Sequence, residues 1–130
     1  MNPYTYRATV VRVVDGDTID LDVDLGFHLR SRQRFRLLDY NAPETRGPER
    51  LLGIQAKADL VRRLPSGAAL WVETHKGDSF GRWLCDLWLE PAAPRLQDDL
   101  VREGWGVRWD GRGRRPGFNV AEPYPLEPAR

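Results

Sequence analysis

The chain is poor in cysteine, lysine and long apolar runs. Its single cysteine, Cys85, cannot close an internal disulfide or build a cysteine-rich metal site, which excludes a disulfide-stapled scaffold and a zinc finger. No apolar stretch approaches the roughly 20 residues needed to cross a bilayer, so no membrane partner is expected. Met1-Asn2-Pro3-Tyr4-Thr5-Tyr6 lacks the basic flank and apolar core of a secretory leader, and a cytoplasmic location follows as the expectation. A phage or mobile-element origin is compatible with these features. With 130 residues, 41% of them hydrophobic and 30% charged, the chain suits one folded domain rather than a disordered segment, and is expected to act as a monomer.

The net charge of +1 conceals a pattern. Of the 20 lysines and arginines, only Lys57 and Lys76 are lysines, so the positive surface is arginine. Its planar fork of donors matches phosphate in a bidentate way. Arg32, Arg34, Arg36, Arg46 and Arg50 cluster after an acidic run of Asp15, Asp17, Asp20, Asp22 and Asp24. Juxtaposed clusters of this kind fit a cation site facing a polyanion; a coding bias towards arginine fits them too.

Residues 6–14 are β-branched and aromatic and predict a strand. Asp15-Gly16-Asp17 is turn chemistry, with Gly16 expected at positive φ. Ile19, Leu21, Val23 and Leu25 alternate with Asp20, Asp22 and Asp24, the period of a half-buried strand with one solvated face. A third strand is expected over about 32–40. Pro48 opens a helix to about Leu64 with Leu51, Ile54, Ala58 and Val61 as its apolar stripe. Strands follow at 69–74 and 82–89, and a short helix runs from Leu96 to Glu103 with Gly104 as its stop. The fold class is therefore mainly β with helices (α+β): five strands with a helix after the third and a short helix after the fifth, as a small barrel requires. Residues 1–110 are assigned to this domain and 111–130 to an extended carboxy-terminal tail.

Three segments carry polar residues beyond what plain turns need: Asp15-Gly16-Asp17-Thr18, Arg36-Leu37-Leu38-Asp39-Tyr40-Asn41-Ala42-Pro43-Glu44, and Asp78-Ser79-Phe80-Gly81-Arg82. Taken singly, Asp15 and Asp17 suit a turn, Glu44 a helix start, and Arg36 an exposed strand position. His28 and His75 have no partner at metal-ligand spacing. Trp71, Trp83, Trp88 and Cys85 read as packing groups.

In these three motifs, in this order, the sequence resembles the staphylococcal nuclease (thermonuclease-like) family over roughly residues 6–110. The resemblance implies an OB-type five-stranded barrel and calcium-dependent hydrolysis of phosphodiester bonds in DNA and/or RNA, with other divalent metals as alternatives. It implies metal ligation by Asp17, by Asn41 and by the backbone carbonyl of Ala42, water activation by Glu44, and phosphate binding by Arg36 and Arg82. Trp109 falls near aromatic residues that stack on the nucleotide, and Lys76 is a candidate for a backbone phosphate. Two departures stand out. Asn41 occupies a position where an aspartate is usual, so it supplies an oxygen but no charge. The tail after Asp110 has no counterpart of the family's carboxy-terminal helix. Two functions thus stand side by side: a metal-dependent nuclease, and a catalytically inactive OB-type module that binds nucleic acid or protein. Asn41 favours the second; Arg36, Glu44 and Arg82 together favour the first.

Overall fold

The computed structural model describes residues 2–77 and 80–128. The alternating segments form the expected hairpin, β1 (Thr5–Asp15) and β2 (Thr18–Gly26), with Val10 opposite Leu21 and Arg12 opposite Asp20. A register shift at Val10/Arg12 moves the inward position from the even-numbered Ala8 and Val10 to the odd-numbered Val13, all buried, and a second follows at Val13/Asp15. Such bulges also tighten the twist that lets a small sheet close. β2 pairs antiparallel with β3 (Leu29–Leu37). The chain then passes through β4 (Tyr40–Asn41), a 3-10 turn at Gly47–Glu49 and α1 (Arg50–Arg63). β5 (Ala69–Gly77), β6 (Trp83–Trp88), α2 (Leu96–Arg102) and β7 (Val107–Arg108) complete it.

The five long strands close a barrel in the order β1-β2-β3-β6-β5, with β4 and β7 forming a separate two-stranded ladder. Only the β3–β6 pair is parallel, with Phe35 beside Trp83 and Arg36 beside Leu84. This is the OB-type α+β barrel that the sequence implies. Ile19, Leu21, Phe35, Leu37, Leu70, Val72, Cys85 and Leu87 fill it, each at most 2% exposed. Among the described residues, no helix is long and apolar enough to cross a membrane.

Three local expectations are corrected. Strand three stops at Leu37, because Asp39 takes a left-handed conformation (φ 57°) that breaks the ladder before β4. Gly16 is not among the positive-φ glycines; a Cβ there would lie 3.0 Å from the methyls of both Ala42 and Ala56, so glycine serves close packing of the turn. Helix α1 turns its other face inward. Leu51, Ile54 and Val61 are exposed, while Leu52, Gly53, Ala56, Asp59 and Leu60 are buried. Asp59 tolerates burial because Arg63 Nε donates to it at 2.7 Å and Arg62 pairs with it as well.

Candidate nuclease-type cleft

The β1–β2 turn, the end of β3, β4 and the loop before α1 converge on one cleft of about 500 Å³. Asp17, Arg36, Asn41, Ala42, Glu44 and Arg82 all line it. A second cleft of about 290 Å³ shares Arg36 and Arg82 as its wall and adds Tyr40, Phe80 and Trp109. Lys76 lines neither of these clefts and stands exposed near the end of β5. Asp78 and Ser79, from the third motif, lie outside the described residues.

Asp17 is more than a turn former. Its side chain points inward at 8% residue exposure, where Oδ1 accepts the Thr18 hydroxyl at 2.9 Å and Oδ2 accepts the Ala42 N–H at 3.2 Å. The Leu37 N–H bonds the Asp17 carbonyl at 3.0 Å, which ties the turn to the end of β3. Arg36 Nη2 donates to Asn41 Oδ1 at 3.1 Å and to the Tyr40 carbonyl at 3.3 Å, and lies 3.5 Å from Asp17 Oδ2. Among the described residues, the hydrogen bonds of its guanidinium run through Nη2, which turns Nε and Nη1 towards a ligand. The Arg36 guanidinium also lies 5.5 Å from the centre of the Trp109 ring, a cation–π contact that joins the two clefts. Arg82, just ahead of β6, stacks on Phe80 at 5.3 Å.

Glu44 is well exposed, at 61% for its side chain, on a loop held from two sides. Its N–H donates to Glu49 Oε1 at 3.1 Å. Gly53 of α1 packs so closely behind it that a Cβ there would fall 2.0 Å from the Glu44 carbonyl oxygen. Asp15 Oδ1 accepts the Thr45 hydroxyl at 2.9 Å, a loop-holding role for this carboxylate.

Sequence reasoning missed Arg115 and Glu49. Arg115 reaches from the tail into the cleft, with Nε donating to Asn41 Oδ1 at 3.1 Å and Nη2 to the Ala42 carbonyl at 2.9 Å. It ion-pairs with Glu49 at 3.0 Å, and its Nε lies 3.6 Å from Glu44 Oε1. Burial alone would raise the Glu49 pKa, but hydrogen bonds from Arg115 and from the Glu44 and Phe118 N–H groups leave it below the usual glutamate range. No local signal marks Arg115, because its partners lie more than 60 residues earlier in a segment without periodicity.

Whether these residues suit a divalent cation is answered by the guanidinium groups already among them. One Arg36 nitrogen sits within 3.5 Å of Asp17 and Asn41 oxygens, and one Arg115 guanidinium touches the Asn41 and Ala42 oxygens. The oxygens therefore surround positions where positive charge is stable. A carboxylate, an amide oxygen and a peptide oxygen form a hard donor set of the kind calcium accepts. A second potential metal group, Glu73, His75 and Asp86, was not visible in the sequence because β5–β6 pairing assembles it. His75 is thereby a half-buried partner of Asp86 at 2.9 Å. Asp86 also accepts Arg95 and Gln97, each at 2.8 Å.

No protein-family model matches the chain. It is similar to protein ParB of Escherichia coli, at 34% identity over 119 residues that cover 85% of this chain and 62% of that protein. It is also similar to a thermonuclease of Staphylococcus hyicus, at 31% identity over 107 residues that cover 79% of this chain and 58% of the relative. The chain thus spans about three fifths of the length of these curated relatives.

Proposed function

We propose that this chain is a nuclease of the thermonuclease type that hydrolyses phosphodiester bonds of DNA and/or RNA with the help of a divalent cation, calcium foremost. The observation that carries it is the convergence of two arginines and an exposed carboxylate, Arg36, Arg82 and Glu44, on one cleft beside the oxygens of Asp17, Asn41 and Ala42. Similarity to a thermonuclease supports it. The cleft wall carries Arg36, Arg46, Lys57, Arg82 and Arg115 against Asp15, Asp17 and Glu44, a balance that attracts a polyanion.

Asp17, Asn41 Oδ1 and the Ala42 carbonyl would hold the cation. Bound there, it neutralises phosphodiester charge and polarises the phosphoryl oxygens. Nε and Nη1 of Arg36, together with Arg82, grip the scissile phosphate and stabilise charge as it builds on the five-coordinate phosphorus. Glu44 takes a proton from the water that attacks phosphorus. The bond from phosphorus to the departing oxygen then breaks, and that oxygen takes a proton from solvent. Trp109, on the far side of Arg36, offers a ring face to a neighbouring base.

The test is digestion of single- and double-stranded DNA and of RNA with calcium, with magnesium and with chelator, beside filter binding. Cleavage should require the divalent ion. Glu44→Gln should cut turnover by about a hundredfold or more while binding stays equal or tightens, because a negative group facing a polyanion is removed. The rival is a binding module without catalysis, and the Arg115 contacts on Asn41 and Ala42 speak for it. Wild-type protein that binds nucleic acid but never cuts, under every divalent ion tried, would decide for that rival.

A further inference from the structure

We infer that residues 115–118 form a latch over the cleft, in which Arg115 is a tethered counter-ion that a divalent cation must displace. This rests on the reading above that Asn41 and Ala42 supply cation-binding oxygens, and it assigns the regulation of that site to the tail.

Three observations carry it. The first is how Arg115 uses its donors. Nε goes to Asn41 Oδ1, Nη1 to Glu49 Oε2, and Nη2 to both the Ala42 carbonyl and Glu49 Oε1. Four of its five N–H groups are thus held by protein oxygens. Arg36, bonded among the described residues through Nη2 alone, is built to meet a ligand; Arg115 is built to hold the chain.

The second is Asn41 itself, 1% exposed. Its Oδ1 accepts from Arg36 and Arg115, while its Nδ2 donates to the Pro116 carbonyl at 3.2 Å. An aspartate could accept from both arginines but could not donate to Pro116, and would set its charge against that carbonyl oxygen. The neutral residue that weakens the cation site is also the one that fits the latch.

The third is the seat. Both Glu49 oxygens take Arg115, and Oε2 also takes the Phe118 N–H at 3.1 Å. The segment is anchored beyond the latch on both sides. Before it, the Trp109 N–H bonds the Asp39 carbonyl at 3.2 Å; after it, Tyr124 packs edge-on against Trp105 and its hydroxyl donates to the Trp105 carbonyl at 2.8 Å. Residues 115–118 can therefore lift as a flap without freeing the rest of the tail.

Arg115 covers both the Asn41 Oδ1 and the Ala42 carbonyl oxygen, where Arg36 also reaches Asn41, so a cation coordinated by both oxygens has to displace Arg115, and the apparent calcium affinity equals the intrinsic affinity reduced by the fraction of unlatched molecules. Calorimetric titration of the full chain with calcium chloride should show Arg115→Ala binding at least about tenfold tighter than wild type. In wild type, calcium should speed hydrogen exchange across 115–118, including the Phe118 amide, a readout that needs no variant. Equal calcium affinity in the two proteins, no calcium binding by Arg115→Ala, or exchange that calcium leaves unchanged would each overturn the latch. Cleavage separates the two levels. Tighter calcium binding without cleavage by either protein would refute the nuclease and keep the latch. Cleavage with a calcium requirement that is the same in both proteins would keep the nuclease and refute the latch.

Discussion

At the scale of single residues, the arginine-rich surface divides into two populations. Arg12 and Arg34 pair with Asp20, and Arg30 with Asp22, at 2.8–3.0 Å along the outer face of the barrel. Exposed pairs of this kind contribute only about 0.2–1 kcal/mol each, and they neutralise Asp20 and Asp22 on the solvated face of β2 that its alternation predicts. Arg36, Arg46, Arg82 and Arg115 form the other population, lining the cleft. Sequence order cannot separate Arg34 from Arg36, since both leave the same face of β3 and differ in how close they stand to the strand end that meets the cleft. The family resemblance carried by the three motifs points to Asp17, Arg36, Asn41, Ala42, Glu44 and Arg82, which the fold brings to one cleft. Arg82→Lys keeps the charge but loses the fork, so cleavage by the proposed nuclease should fall by at least about tenfold, roughly 1.4 kcal/mol of barrier. Single-turnover digestion checks it, and near wild-type turnover would place Arg82 outside the reacting centre.

At the scale of elements, the hairpin was legible because β2 alternates strictly, and the helix positions were legible from Pro48 and the break after Leu64. The facing of α1 was not. Its buried side holds Gly53, Ala56 and Asp59 beside Leu52 and Leu60, so a search for large apolar residues selects the exposed stripe of Leu51, Ile54 and Val61 instead. Small residues stand on the inner side because the Glu44 loop and the β1–β2 turn press against the helix there. The parallel β3–β6 pair, which puts Arg36 level with Leu84 and so near Arg82, was also beyond sequence, since strand closure leaves no local mark. Gly53→Ala should push on the Glu44 carbonyl and displace its loop. The expected result is about 1–3 kcal/mol of destabilisation from overpacking, with turnover reduced and nucleic-acid binding retained. Thermal melting, cleavage and filter binding on the same preparation check all three, and unchanged melting and turnover would mean that the loop yields without effect.

At the scale of the whole molecule, strands and helices are tied to their neighbours in space by ionic bridges. Asp20 joins β1 and β3 to β2 through Arg12 and Arg34. Arg63 links Asp59 of α1 to Glu103 at the end of α2, and Asp98 of α2 takes Arg95 and Arg108. Hydrogen bonds from Arg34, Arg95 and Arg63 hold the carboxyl groups of Asp20, Asp98 and Glu103 below their ordinary values. A carboxyl whose pKa is lower in the folded state contributes stability that is present in full above its unfolded pKa of about 4 and disappears as pH falls through the folded value. The melting temperature should therefore stay level, as far as these groups decide it, from neutral pH down to about 5, and drop progressively below about 4. Because the bridges to Asp20, Asp98 and Glu103 reach solvent, molar salt should screen them and lower the plateau while flattening the acid limb. Melting curves from pH 3 to pH 7 at low and high salt test this. A melting temperature that holds to pH 3, or an acid limb that salt leaves as steep as before, would mean that the ionic bridges between strands and helices add nothing to the stability of the barrel.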